Sequence, residues 1–156
     1  MLNEYHKNNG ETTLKCLSLK QPFAELVIHG RKTIETRTWN TNFRGEFLIH
    51  SSKTIDEESA KKLNINCCKL TKGALVGCAV LYDVKKYSNR QEYVADQSKH
   101  LDDNFSQPKY GFFLKGARKL EKPITLAGKL GFFNVNFSHY YSNSRLNSWW
   151  IWYKWS

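Results

Sequence analysis

Residues 29–39 read HGRKTIETRTW, and within them a lysine, a glutamate and an arginine stand close together at Lys32, Glu35 and Arg37. An ammonium, a carboxylate and a planar guanidinium at this spacing suit three tasks: gripping a phosphate, reading the edge of a base, or pairing with one another in a structural ion network. Lys32 is an ammonium donor for phosphate, and it is the candidate catalytic residue if burial lowers its pKa. Arg37 offers a donor fork, and Glu35 either accepts from a base amino group or orients that fork. Trp39 closes the stretch with a ring on which a base can stack. No His, Cys, Asp and Glu grouping has metal-ligand spacing, so neither metal nor cofactor is expected.

An element must hold these groups together. From Ile34 to Trp39 β-formers alternate, and strand side chains have period two, so Glu35, Arg37 and Trp39 are predicted on one face and Ile34, Thr36 and Thr38 on the other. Upstream, QPFAELVIHG carries Pro22 near a start, Phe23, Leu26 and Val27 on one face and Gly30 as a stop, which predicts a short helix at about residues 22–29. Ser18 and Gln21 then fall where a strand passes into that helix, beside backbone N–H groups that could receive an anion or need only a cap. Arg44-Gly45 turns the chain into a second strand, EFLIHSS, whose end places His50, Ser51 and Ser52 at a cleft wall or in a capped core turn.

The remaining chain supplies a framework. Thr54 and Glu57 have the spacing of a capping box for a second helix ending near Leu63. ALVGCAVLYDV predicts a long strand with Gly77 as a bulge or close-approach point. YGFFLKGARKL and LAGKLGFFNV read as further strands separated by Pro123, and the polar stretch between these and the long strand has no clear pattern. Five or six strands with two or three short helices flanking a cleft predict an α+β domain built on a small β-barrel, closed or nearly so.

The 156 residues and 40% hydrophobic content suit one domain, expected at residues 13–136 between a flexible arm at 1–12 and an aromatic tail at 137–156. That tail, with four of the five tryptophans, reads as a packed segment, a stacking surface or an anchor for a protein partner. No apolar run is long enough to cross a bilayer, and no signal core opens the chain, so a cytoplasmic, membrane-free protein is expected. Cys16, Cys67, Cys68 and Cys78 lack the spacing of zinc ligands or an ordinary disulfide and read as idle thiols in a reducing compartment. The net charge of +10 attracts polyanions, with basic concentrations at KKL, VKKYSNR and LKGARKLEKP. RNA or another nucleic acid is therefore the expected partner.

Over SLKQPFAELVIHGRKTIETRTWNTNFRGEFLIHSS the sequence resembles the ASCH family, the activating signal cointegrator homology domain. Ser18, Gln21-Pro22, Gly30, Lys32, Glu35, Arg37, Trp39 and Arg44-Gly45 carry the likeness, together with ALVGCAVLYD and GKLGFF further on. The resemblance implies a PUA-like β-barrel with a cleft lined by the Gly-x-Lys-x-x-Glu-x-Arg residues, and a role in binding RNA or other nucleic acid. It also implies two enzymatic alternatives, since some members resemble ribonucleases and a short bacterial branch hydrolyses acetylated cytidine. In that branch a nucleophilic threonine stands where this chain has Glu35, so binding without turnover is expected. Three readings stay open: a nucleic-acid module, a hydrolase using Lys32, and a protein-interaction module using the tail. The binding set comprises Ser18, Gln21, Lys32, Glu35, Arg37, Trp39, Arg44, His50 and Ser51.

Overall fold

Alternating apolar residues in long runs dominate the chain, and they build one mixed sheet. The computed structural model describes residues 13–136. Its strands are β1 (Thr13–Gln21), β2 (Ile34–Arg37), β3 (Gly45–Ile55), β4 (Ala74–Lys86), β5 (Tyr110–Thr125) and β6 (Phe132–Asn136). The helices are α1 (Phe23–Ile28), α2 (Glu57–Lys62), α3 (Arg90–Ala95) and α4 (Gln97–His100), with a 3-10 turn at Cys67–Lys69. The expected arm and aromatic tail lie outside the described residues.

The strand order is β2-β5-β4-β3-β1-β6, with β1 and β3 parallel and every other neighbouring pair antiparallel. The sheet is not closed by hydrogen bonds, which corrects the expected closed barrel. It is rolled instead, and aromatic rings join its ends. Phe132 on β6 lies parallel to Phe112 of β5, with centroids 6.3 Å apart, and meets Trp39, just beyond β2, at 6.0 Å. Side-chain packing does across this gap what a ladder would do in a barrel.

Two apolar layers follow from the period-two pattern. Leu17, Leu19, Phe47, Ile49 and Phe112 pack with Ala24, Val27 and Ile28 of α1. Residues of the opposite parity, including Cys16, Leu48, Cys78 and Val135, form a second cluster. Cys16 and Cys78 are buried there, and burial pushes each thiol up to about 12, so they pack as apolar groups. Cys67 is half-buried and Cys68 exposed. Among the described residues, no helix is long and apolar enough to cross a membrane.

Several local expectations change. The α2 cap is Asp56, whose carboxylate accepts from Ser59 N–H at 2.9 Å, while Thr54 remains in β3. Pro123 does not separate two strands: β5 runs through it because β4 and β5 shift register between Leu75 and Gly77, leaving Pro123 in an irregular stretch without a ladder partner. The residues expected to start β6, 126–131, form a loop. The patternless segment between β4 and β5 holds α3 and α4, bringing the described α-helices to four, not two or three.

Gly77 is both bulge and contact, as its place in the strand suggested. A methyl group there would run into the Arg118 carbonyl oxygen and approach Ile28 Cγ2 to 2.7 Å. Gly77→Ala is therefore expected to cost about 2–3 kcal/mol by overpacking α1 against the β4–β5 ladder. Urea denaturation would measure the loss, and an unchanged midpoint would contradict this packing.

Candidate functional site

Lys32 follows the α1 turn, and the chain reverses there through Gly30, whose φ of +73° favours glycine. Its own N–H donates to Leu26 O at 3.0 Å, which directs the side chain inward. Only 1% of that side chain is exposed. The ammonium donates to the His100 carbonyl, lies 3.6 Å from Glu35 Oε2 and sits 4.8 Å over the Phe23 ring. Burial pushes its pKa below the ordinary lysine range, against the pull of Glu35 and Asp102. Such a lysine is a fixed internal donor, not a free arm for phosphate.

Glu35 and Arg37 share a face of β2, as alternation predicts: Arg37 Nε lies 3.3 Å from Glu35 Oε1. Arg37 Nη2 donates to Ser18 O at 2.6 Å, tying the edge strand to β1 across the cleft. The geometry leaves capacity unused. Glu35 Oε2 and Arg37 Nε are both buried and have no hydrogen-bond partner among the described residues, although opposite charges lie near each. Trp39 lies beyond the end of β2 but stays on this side. Phe112 holds its ring edge-on at 5.2 Å, and the Arg37 guanidinium stands 5.9 Å from its centroid.

These residues line a cleft of about 480 Å³ between β2, β1 and the loop at 126–131. Ser18, Lys32, Glu35, Arg37 and Trp39 from the predicted set border it. Gln21, Arg44, His50 and Ser51 do not. Gln21 is fully buried, donates to Thr71 O at 2.7 Å and accepts the Glu25 N–H at 3.0 Å, so it caps α1 and consumes a donor proposed for an anion. Ser51 Oγ donates to Ala74 O at 3.2 Å. Arg44 is exposed and donates to the carbonyls of Thr41 and Phe43. His50 is buried behind the wall, with Nε2 donating to Leu126 O at 2.8 Å and Nδ1 3.0 Å from Ser18 Oγ.

Sequence reasoning missed the opposite wall. The α3–α4 insertion carries Asp102, whose Oδ2 receives Thr36 Oγ1 at 2.8 Å, Tyr93 Oη at 2.6 Å and Lys109 Nζ at 2.9 Å. Burial raises its pKa, but these donors and the Asn104 N–H outweigh it and hold the carboxyl at about 2. Thr36, assigned to the far side of β2, thus also reaches the cleft, because β2 is an edge strand bordered on both faces. Lys20, Lys109 and Lys129 line the cleft as well. Only their charge marked them, and it does not distinguish them from other lysines.

With this geometry in hand, comparison with known proteins gives a consistent result. The ASCH domain model matches residues 17–126. Activating signal cointegrator 1 from Mus musculus is 30% identical over 102 residues, and its Homo sapiens counterpart 29% over the same length. Each alignment covers 58% of this chain but 18% of the relative, so the chain spans under a fifth of those proteins. Among solved structures, ASCH from Zymomonas mobilis superposes with a TM-score of 0.59 at 13% identity, covering 78% of this chain and 86% of that one. At that identity the likeness speaks for the fold alone.

Two outcomes follow from the buried charges. Lys32→Ala strands Glu35 and the His100 carbonyl and is expected to cost about 3–5 kcal/mol of stability. Lys32→Met, which keeps the stem volume and leaves Glu35 beside Arg37, should cost less. A loss under about 1 kcal/mol for the alanine variant in urea unfolding would rule out the buried pair. His100 is buried, which pushes its pKa below the usual histidine value. The Tyr93 carbonyl, Asp102 and Asp96 oppose that shift, and Lys32 adds to it. The unfolded chain therefore takes up this proton first. Its contribution to stability is complete above pH about 6.5 and declines as the pH falls toward the folded pKa. Unfolding free energies between pH 8 and 5 should fall more steeply for the wild type than for His100→Gln.

Proposed function

The chain belongs to the ASCH domain family, and on that premise we propose that it is an RNA-binding module whose cleft receives one nucleotide of a single-stranded or structured RNA. The observation that carries this reading is the Lys32–Glu35–Arg37 group, in which Glu35 and Arg37 set a carboxylate beside a guanidinium in the cleft wall. A base edge presents a donor beside an acceptor, which complements a carboxylate beside a guanidinium. Arg37 and Glu35 address that edge, Trp39 supplies an aromatic wall, and the exposed Lys20 and Lys129 meet the flanking phosphates.

Charge supports the same reading. Five basic and three acidic side chains line the cleft, in a chain of net charge +10. Lys32 acts by positioning Glu35, and its ammonium is already committed to the His100 carbonyl. Glu35, flanked by two cations, serves as an acceptor that reads an amino group. Thr36 Oγ1 is bonded to Asp102 and holds the cleft wall. Binding without turnover is the function that follows.

Binding to a short single-stranded RNA should weaken with salt, with a log–log slope of about −1.4 if Lys20 and Lys129 neutralise two phosphates. Arg37→Ala should cost roughly 1.5–3 kcal/mol in affinity, as expected for a lost charge-assisted contact. Fluorescence anisotropy between 50 and 300 mM salt checks both. An affinity flat in salt and indifferent to Arg37 would overturn the proposal.

A further inference from the structure

Leu130 is the one fully exposed large apolar side chain among the described residues, and it stands at the cleft. Its loop is fixed at the base. Leu126 N–H donates to Gly73 O at 3.2 Å, and Leu126 O accepts from His50 Nε2 at 2.8 Å. Gly128 presses on the Ser18–His50 pair so closely that a Cβ would lie 2.6 Å from His50 Cε1 and 2.7 Å from Ser18 Oγ. Gly131, with φ of +66°, turns the chain into β6. The anchored loop therefore carries Lys129 and Leu130 at its tip, a cation beside an apolar group with no protein surface to cover it.

A cleft of about 480 Å³ accommodates a small molecule or one nucleotide, not a base-paired stack. A paired nucleotide reaches such a site only by leaving the helix, and the gap it leaves is stabilised when an apolar side chain fills it. We propose that Leu130 is a wedge that occupies the space vacated when a stem nucleotide is extruded from duplex RNA into the cleft. This rests on the reading of the cleft as an RNA site. Lys129, next in the chain, meets the phosphate beside the gap, and Arg37, Glu35 and Trp39 receive the displaced base. Leu130 thereby determines which RNA the protein accepts: a stem that can open at one position, in addition to a strand already open.

The test uses the full chain and an RNA hairpin with one 2-aminopurine in its stem, beside an unpaired strand of the same sequence. Binding is followed by anisotropy and base unstacking by 2-aminopurine emission. The wild type should bind the hairpin and raise its emission severalfold. Leu130→Ala should bind the unpaired strand within twofold of wild type but lose most of the emission rise and about tenfold in hairpin affinity. Leu130→Phe, which keeps an apolar wedge, should retain the rise. The side chain touches solvent only, so neither variant disturbs folding. Hairpin binding without an emission rise, a rise unchanged in Leu130→Ala, or binding confined to the unpaired strand would overturn the wedge and leave the RNA site standing. Failure of both RNAs to bind would overturn both.

Discussion

An ammonium group with almost no access to water must find its counter-charge and its acceptors inside the protein, and the arrangement around the cleft depends on that requirement at Lys32. Removing a charge from water costs several kcal/mol even after relaxation, and only close, well-placed partners offset it. Glu35 supplies the charge from three residues away and His100 supplies a carbonyl from the α3–α4 insertion. His100 is held in turn, with Nε2 2.7 Å from Tyr93 O and Nδ1 accepting the Asp102 N–H at 3.1 Å. The insertion between β4 and β5 thus gives the buried Lys32 ammonium its backbone acceptor, beside the Glu35 carboxylate.

The same chain of contacts explains why an open sheet behaves as a rolled one. Its end strand β2 has a neighbour on one side, yet Arg37 reaches across to the β1 backbone at Ser18. Below that bridge Trp39, Phe112 and Phe132 pack edge-on or parallel across the gap between β2 and β6. A hydrogen-bonded closure would have used the backbone groups and sealed the cleft. Closure by one guanidinium and three rings leaves space between the edges, and that space is where Glu35, Arg37 and Trp39 converge.

How much of this the sequence disclosed depended on whether the signal was local. Period-two alternation placed Glu35 beside Arg37, Pro22 and Gly30 bounded α1, and Gly77 marked a bulge, because each rests on backbone rules that act over a few residues. Pro123 misled for the same reason: its missing N–H breaks a regular ladder, but register shifts in the partner strand are invisible locally. Asp102 and Lys109 carried no signal, since their importance comes from contacts with Thr36 and Tyr93 that the fold creates across long separations. Gln21, His50 and Ser51 are polar residues near the cleft whose side chains turn to partners inside the protein. A strand end shows which residues lie close to a cleft, not which of their hydrogen bonds the interior has already taken.

That distinction separates two kinds of polar residue within one sequence motif. Gln21, His50 and Ser51 have partners inside the protein for the groups they bury, so their side chains stabilise the wall and have little left for a ligand. Glu35 is buried and Arg37 half-buried, yet each keeps a buried polar atom without a hydrogen bond among the described residues. Nε lies 3.3 Å from Oε1, and Oε2 lies 3.6 Å from the Lys32 ammonium. Glu35 is also drawn toward Lys32, and Arg37 donates to the Ser18 carbonyl. Between these contacts the carboxylate and the guanidinium are held side by side in the cleft wall. For the proposed RNA site, preorganisation of this kind would reduce the ordering cost of binding.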